Sequence, residues 1–121
     1  MSKILLVEDD QFLRTLYVDL LKADGYTVEE AVDGEEAFNK IKSGSWDLIL
    51  LDVVLPKMDG FQVINKLKTE SPQSLKQKIV LLTNLDKSSL IKEVDPLGLQ
   101  YLIKSDLTPD QFVNKVKSFF T

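Results

Sequence analysis

Short, uninterrupted apolar runs alternate along this chain with stretches in which apolar residues recur at helical spacing. Four solid runs, rich in Ile, Leu and Val, occupy residues 4–7, 48–51, 79–82 and 101–103. Runs of this kind are typical of strands that are buried on both faces of a parallel sheet. Residues 27–32 are more polar and contain Glu29 and Glu30. This segment is typical of an exposed edge strand, where charge discourages stray pairing.

A helix is predicted after each strand, because the apolar residues there recur three and four positions apart. The first helix has Asp10 as its N-cap and ends at Gly25, and the second lies between Asp33 and Gly44. The third helix is predicted from the apolar positions Phe61, Ile64 and Leu67.

The sequence signals for the last two helices differ in strength. The fourth is short, and Pro96 is expected to stop it. Its apolar stripe consists of Leu90, Ile91 and Val94. The fifth has a full start signal, with Thr108 as N-cap, Pro109 at the first helical position and Gln111 completing a capping box. The polar stretch 69–78, before the fourth strand, is expected to be the loosest connection.

The alternation amounts to five βα units in series, which predicts a single α/β domain over residues 1–121. Parallel strands joined by right-handed crossovers place helices on both faces of one sheet. A length of 121 residues also suits one domain. No linker, repeat or low-complexity segment divides the sequence.

The chain contains no Cys and no His. Disulfides, thiolate nucleophiles, Cys/His zinc sites and histidine acid–base chemistry are therefore excluded. The net charge of −4 and the lack of a basic run argue against direct nucleic-acid binding. No apolar run approaches the length of a membrane span, so membrane insertion is not expected. The absence of a signal peptide and of cysteines favours a cytoplasmic location.

Polar residues with useful chemistry follow the strands at their carboxyl ends. Glu8 and Asp9 follow the first strand, Asp52 the third, Thr83 the fourth and Lys104 the fifth. In an open parallel sheet these strand ends meet at one edge, where ligands bind. Each residue alone has an ordinary explanation as a helix cap, a turn residue or a solvated charge. Their combination at one edge is harder to explain in that way.

The clustered carboxylates predict a site for a divalent cation. Without one they would repel each other, and at least one pKa would rise. All the available ligands are hard oxygens, which favours Mg²⁺, and Mg²⁺ commonly also takes a phosphate oxygen. Asp52 is the best candidate for a nucleophile that accepts a phosphoryl group, with Lys104 and Thr83 as donors to its oxygens. Neither a Walker A pattern nor GxGxxG occurs, so a nucleotide is not the expected ligand.

Four segments of the sequence resemble the receiver domain of two-component response regulators. They are ILLVEDD at 4–10, DLILLDVVLPKMDG at 47–60, LT at 82–83 and YLIK at 101–104. They occur in order and at family-like spacing over essentially the whole chain, and the segment at 47–60 is the most specific. The resemblance implies a flavodoxin-like (βα)5 sandwich with a five-stranded parallel sheet in the order 2-1-3-4-5.

The resemblance also implies a role in phosphorelay signalling. Asp52 would accept a phosphoryl group from a sensor histidine kinase or a phosphotransfer protein, in a reaction that needs Mg²⁺. Glu8 and Asp9 would form the acidic pair, with Asp9 the more direct metal ligand. Asp52 and the backbone carbonyl of Val54 would complete the protein ligands, and Lys104 would bind the phosphoryl group.

A conformational switch is implied as well. Thr83 would move toward the phosphoryl group and Tyr101 would turn inward, so that the face formed by helix four, strand five and helix five controls a downstream protein. Such a domain phosphorylates and dephosphorylates itself and does not turn over a substrate. It would be a monomer or a dimer that forms on phosphorylation. The positions that set the rate of dephosphorylation hold the apolar residues Val54 and Leu85, which predicts a long-lived phosphoryl group.

The chain departs from the family's pattern in three places. Asn84 follows the threonine where a small residue is usual, Ser105 follows the lysine where Pro is usual, and LGL at 97–99 replaces Gly-Ala before strand five. Two alternatives stay open: an Mg²⁺-dependent phosphatase with Asp52 as covalent nucleophile, and a degenerate receiver that binds a partner without phosphorylation. A phosphatase would normally need a second acid, where this chain has Val54, and a cap over its substrate.

Overall fold

The computed structural model describes residues 2–120, except for the side chains at positions 91, 93 and 95–97. The two ends of the predicted 1–121 domain and the predicted apolar position Ile91 therefore lie outside the described residues. Five parallel strands form one sheet in the order β2-β1-β3-β4-β5, which confirms the predicted order. The strands are β1 (Lys3–Val7), β2 (Thr27–Ala31), β3 (Leu48–Leu51), β4 (Ile79–Thr83) and β5 (Gln100–Ile103).

Five α-helices cover the two faces of this sheet. They are α1 (Gln11–Ala23), α2 (Gly34–Ser43), α3 (Gly60–Glu70), α4 (Lys87–Leu97) and α5 (Pro109–Ser118). Apolar side chains of α1 and α5 pack on one face, and those of α2, α3 and α4 pack on the other. Because successive strand residues point to opposite faces, the solid apolar runs supply both cores at once.

Local capping signals fix several helix ends. The Asp10 carboxylate accepts a hydrogen bond of 2.9 Å from the Leu13 N–H group, and the predicted capping box of Thr108 and Gln111 is confirmed at α5. At the end of α1, Gly25 has a positive φ of 96°, a conformation that glycine adopts without a steric penalty. The first and last helices therefore begin or end where the sequence predicts.

Helix α4 and the segment before β4 differ from the prediction. Helix α4 continues past Pro96 to Leu97, because a proline in the last turn removes only one backbone hydrogen bond while Leu90 and Val94 stay buried in the core. The segment 69–78 is ordered rather than loose, since its first two residues end α3 and the next stretch forms a short 3₁₀ helix (Pro72–Lys76). The buried hydroxyl groups of Ser71 and Ser74 lie 2.8 Å apart within it.

Among residues 2–120, the structure contains no helix that is both long enough and apolar enough to cross a bilayer.

Candidate functional site

The strand register brings the predicted site residues to one edge of the sheet. Val7 pairs with Leu51 at the ends of β1 and β3, so the next residues in each strand, Glu8 and Asp52, emerge at the same level. The Asp52 N–H group continues this pairing with a hydrogen bond of 3.2 Å to the Val7 carbonyl. The carboxylates are therefore placed by the most buried part of the sheet, which gives them fixed positions.

Glu8, Asp9 and Asp52 form an acidic cluster. Each offers a carboxylate oxygen, and these oxygens lie within 4.8 Å of one another. Glu8 and Asp52 are only 1% and 4% exposed, whereas Asp9 is on the surface. Two buried acids and one exposed acid thus converge on one point that solvent can reach.

Lys104 enters the acidic cluster from the end of β5. Its Nζ atom lies 2.7 Å from Asp52 Oδ2 and also donates a hydrogen bond to Glu8 Oε1. The lysine side chain is 8% exposed, so its charge depends on these two partners rather than on water. One ammonium group therefore serves two buried carboxylates, and the cluster as a whole stays negative.

The ionisation of Glu8 and Lys104 follows from this burial. Burial raises the pKa of the Glu8 carboxyl above its ordinary value, although the hydrogen bond and charge of Lys104 oppose that effect. Burial alone would lower the pKa of Lys104, but the hydrogen bonds and charges of Asp52 and Glu8 outweigh it and raise the pKa. Lys104 therefore keeps its proton and positive charge around neutral pH.

Arg14, the single arginine of the chain, supports the acidic cluster from helix α1, a role that the sequence reasoning missed. Its Nη1 atom donates to the carbonyl oxygens of Glu8 at 2.9 Å and of Asp9 at 3.3 Å. The Nη1 atom can donate to both carbonyl groups because it carries two N–H bonds held in the guanidinium plane, a fixed geometry that the ammonium group of a lysine lacks. The only signal in the sequence is a lone Arg one turn beyond the Asp10 cap.

The loop after Asp52 is held close to the sheet. The Val54 N–H group donates to Asp52 Oδ1 at 3.4 Å, and the Gly60 N–H group donates to the Val53 carbonyl at 2.8 Å. A Cβ atom at Gly60 would lie 2.5 Å from the Asp52 carbonyl oxygen, so only glycine fits there. The role of the Val54 carbonyl as a metal ligand stays a prediction.

Thr83 lies at the end of β4 and Tyr101 lies in β5, and neither belongs to the acidic cluster. Thr83 is fully buried, and among the described residues its hydroxyl bonds to the Leu85 N–H group, at 3.3 Å, and to none of the cluster residues. Thr83 lies two positions after Leu81, so its side chain points to the same side of the sheet, the side that α2, α3 and α4 cover. Tyr101 is half-buried and packs on that same face.

Two of the residues that depart from the family's pattern contact each other. The Ser105 N–H group donates a hydrogen bond of 2.8 Å to Asn84 Oδ1, between the loops that follow β5 and β4. All peptide bonds among residues 2–120 are trans, including the bond that joins Lys104 to Ser105.

The strand order and the edge position of the acidic cluster define a doubly wound α/β protein with a negatively charged site at the carboxyl ends of its strands. The chain belongs to the response regulator receiver domain family, whose sequence pattern matches residues 4–117. It is therefore a phosphorelay signalling domain of the two-component kind, as the resemblance predicted.

Curated relatives include regulators and a kinase. The chain is 44% identical over 71% of its length to the Bacillus subtilis alkaline phosphatase synthesis transcriptional regulatory protein PhoP, and covers 35% of that protein. It is 38% identical over 87% of its length to a gliding motility regulatory protein of Myxococcus xanthus, covering 14% of it. It is 37% identical over 96% of its length to hybrid signal transduction histidine kinase B of Dictyostelium discoideum, covering 6% of it. The chain thus spans about a third or less of each relative.

Solved structures agree over the whole fold. The chemotaxis protein CheY4 of Vibrio cholerae superposes with a TM-score of 0.84 at 29% identity, covering 98% of both chains. The response regulator TrrA of Thermotoga maritima, solved in complex with Mg²⁺ and BeF, superposes with a TM-score of 0.80 at 32% identity, covering 98% of this chain and 99% of that one.

Proposed function

We propose that Asp52 is the phosphoacceptor of this receiver domain and that the acidic cluster binds the Mg²⁺ ion that the reaction needs. The observation that carries the proposal is the position of Lys104 Nζ, 2.7 Å from Asp52 Oδ2. An ammonium group at that distance from the acceptor oxygen is placed to bind an oxygen of a phosphoryl group on Asp52. Its neighbours Glu8 and Asp9 complete the site.

The donor set fits Mg²⁺. Glu8, Asp9 and Asp52 supply carboxylate oxygens within 4.8 Å of one another, and no nitrogen or sulfur ligand competes, since the chain has no His and no Cys. The backbone carbonyl of Val54 is the further ligand that we propose. Bound Mg²⁺ would neutralise the carboxylates and the oxygens of an incoming phosphoryl group. The TrrA structure, solved with Mg²⁺ and BeF, supports this assignment.

The reaction is a transfer between two nucleophiles. An Asp52 carboxylate oxygen attacks the phosphorus atom of a phosphohistidine on a sensor kinase or a phosphotransfer protein. The new P–O bond forms an acyl phosphate, while the P–N bond breaks and its electron pair stays on the imidazole nitrogen. Lys104 then balances the added negative charge, because it is already protonated and already next to Asp52. A small phosphodonor can replace the kinase, which makes the phosphorylation self-catalysed.

The conformational response is the second half of the proposal. Thr83 would leave its contact with the Leu85 N–H group and donate its hydroxyl proton to a phosphoryl oxygen. Tyr101 would turn inward on the same face of the sheet and change the surface formed by α4, β5 and α5. A downstream protein that binds this surface in one state would then be controlled by phosphorylation.

A degenerate receiver is the weaker alternative, because the acceptor, the acidic pair and the lysine are all present and in contact. An enzyme-like phosphatase is weaker still, because Val54 stands where a second acid is needed. The cytoplasmic location, the single-domain organisation and the state of oligomerisation remain predictions.

Intact mass spectrometry tests the proposal directly. Incubation with Mg²⁺ and acetyl phosphate should add one alkali-labile phosphoryl group. Asp52→Asn, which keeps the shape of the side chain, should abolish the addition, and so should removal of Mg²⁺ with a chelator. Addition that persists in Asp52→Asn would show that another residue is the acceptor, and no addition to the wild-type chain would favour the degenerate receiver.

A further inference from the structure

The ends of β4 and β5 are joined by a side chain where their backbone pairing stops. The last paired residues are Thr83 and Ile103. Beyond them, the Ser105 N–H group donates to Asn84 Oδ1 at 2.8 Å, which we call the cross-loop bond. Ser105 is the second residue of a short 3₁₀ helix (Lys104–Asp106), and the first N–H groups of a helix have no partner inside it. Asn84 therefore supplies an acceptor that this turn would otherwise lack.

The cross-loop bond connects the neighbours of two proposed phosphoryl-binding residues. Asn84 directly follows Thr83, and Ser105 directly follows Lys104. Neither partner is buried, so the bond is not part of the core. Its effect is to fix the loop after β4 relative to the loop that begins at Lys104, in the arrangement where Lys104 contacts Asp52 and the Thr83 hydroxyl contacts Leu85.

The proposed movement of Thr83 on phosphorylation would affect the cross-loop bond. In the described structure the Thr83 hydroxyl is not bonded to Asp52, Glu8 or Lys104. In the proposed response Thr83 moves toward a phosphoryl group on Asp52, and Asn84, as the next residue in the chain, would move with it. A hydrogen bond of 2.8 Å tolerates only about 0.5 Å of separation before it is lost. The bond is made while the Thr83 hydroxyl contacts the Leu85 N–H group, and such a movement would break it.

We propose that the cross-loop bond between Asn84 and Ser105 is a brake on the switch, which stabilises the unphosphorylated state. The proposal rests on the proposed function, since it requires Thr83 to move toward Asp52. A ligand shifts a two-state equilibrium only if it stabilises one state more than the other. A hydrogen bond that is made in only one of the two states shifts the equilibrium toward that state in the same way. Loss of one such bond should favour the phosphorylated arrangement roughly two- to tenfold.

The test measures the affinity for beryllium fluoride in saturating Mg²⁺, by fluorine NMR, for wild type and three variants. Asn84→Leu keeps the volume of the side chain and removes the acceptor, and Asn84→Ala removes both. Ser105→Ala is the matched control, because the donor is the backbone N–H group and the substitution leaves it in place. Both Asn84 variants should bind roughly two- to tenfold more tightly, and Ser105→Ala should bind like wild type.

Hydrogen exchange of the Ser105 amide gives the second readout. Exchange should be slow in the free wild-type protein and faster in both Asn84 variants, and Mg²⁺ with beryllium fluoride should speed it in wild type. Tighter binding by Asn84→Ala alone would assign the effect to side-chain volume and overturn the proposal. Unchanged affinity in both Asn84 variants would give the bond a purely structural role and overturn it as well. If wild type takes up no beryllium fluoride, the proposed function itself fails and the brake fails with it.

Discussion

Arg14 joins helix α1 to the edge strand β2 through Glu30, whose Oε1 atom lies 3.1 Å from Arg14 Nε. The same guanidinium donates to the Glu8 and Asp9 carbonyls, and its side chain is only 16% exposed. The acidic cluster therefore depends on a cation that contacts its backbone rather than its carboxylates. Because the backbone at Glu8 and Asp9 sets where their side chains begin, we expect Arg14 to position the proposed metal ligands.

Arg14→Lys should weaken Mg²⁺ binding about fivefold, which corresponds to about 1 kcal/mol for the loss of a bridging hydrogen bond. The substitution keeps the positive charge, so the effect isolates the planar geometry of the guanidinium. Isothermal titration with MgCl₂ measures it. Arg14→Met, which also removes the charge, is the comparison, because loss of a nearby cation would by itself favour Mg²⁺. An unchanged dissociation constant in Arg14→Lys would remove the positioning role.

Asp9→Asn should stabilise the protein when Mg²⁺ is absent and should remove the stabilisation that Mg²⁺ provides. Asp9 adds a third negative charge to a cluster that has one lysine, so its neutralisation should raise the free energy of unfolding by about 0.5–1 kcal/mol. Mg²⁺ at the proposed site should stabilise the folded state by mass action and raise the Tm of wild type. Thermal unfolding with MgCl₂ and with a chelator measures both effects.

Asp19→Asn is the matched control for that experiment, since Asp19 is an exposed aspartate of α1 outside the cluster. It should leave both the Tm and its response to Mg²⁺ unchanged. A Tm increase with Mg²⁺ that survives in Asp9→Asn would exclude Asp9 from the metal site.

Phosphoryl-Asp52 should be long-lived in wild type, and Val54→Gln should shorten its life several-fold. The Val54 N–H group donates to Asp52 Oδ1, which holds residue 54 beside the acceptor, and its apolar side chain is 61% exposed there. An amide at this position can orient a water molecule toward the phosphorus, whereas valine cannot. Decay of the phosphorylated mass after removal of the donor gives the rate. Val32→Gln, at another exposed valine, is the control, and a wild-type lifetime of only seconds would refute the prediction.

Asp86 should titrate below its ordinary range. The Ser88 hydroxyl donates to one of its carboxylate oxygens at 2.8 Å and the Ser88 N–H group to the other at 3.0 Å, and these bonds lower the pKa of the Asp86 carboxyl below 3.8. A folded-state pKa that is depressed contributes stability above the unfolded pKa, and this contribution is lost as the pH falls through the folded value. The beginning of α4 should therefore loosen in acid.

Carbon-detected NMR titration of Asp86 tests this. Ser88→Ala removes the hydroxyl and leaves the backbone N–H group, so the pKa should rise part of the way toward 3.8. Equal pKa values in the two proteins would show that the hydroxyl bond does not form in solution.

The sequence predicted those features that depend on local pattern and on topology. Solid apolar runs identify the strands of a doubly covered sheet, and the signal of Thr108 and Gln111 marks the start of α5 because a capping box lies within one helical turn. The meeting of Glu8, Asp52 and Lys104 could be expected because parallel strands place their carboxyl ends together. The family resemblance then assigned their roles.

Contacts between distant side chains and the backbone could not be predicted in this way. The bond between Asn84 and Ser105 joins residues 21 positions apart, and the Gln77 side chain accepts a hydrogen bond from the Trp46 N–H group 31 positions away. No periodicity encodes such pairs. The predicted end of α4 at Pro96 is wrong, because the buried contacts of the preceding turns hold the helix together through a proline in its last turn.

Because side chains alternate along the strands, the proposed site residues belong to opposite sides of the sheet. Lys104 and Asp52 continue the strand positions that face α1 and α5, whereas Thr83 continues those that face α4. In the proposed mechanism, a modification of a side chain on one side of a single layer of strands would be read out by a hydroxyl that belongs to the opposite side. The proposed signal would then pass between neighbouring strand ends, from the side of the sheet that α1 and α5 cover to the side that α2, α3 and α4 cover.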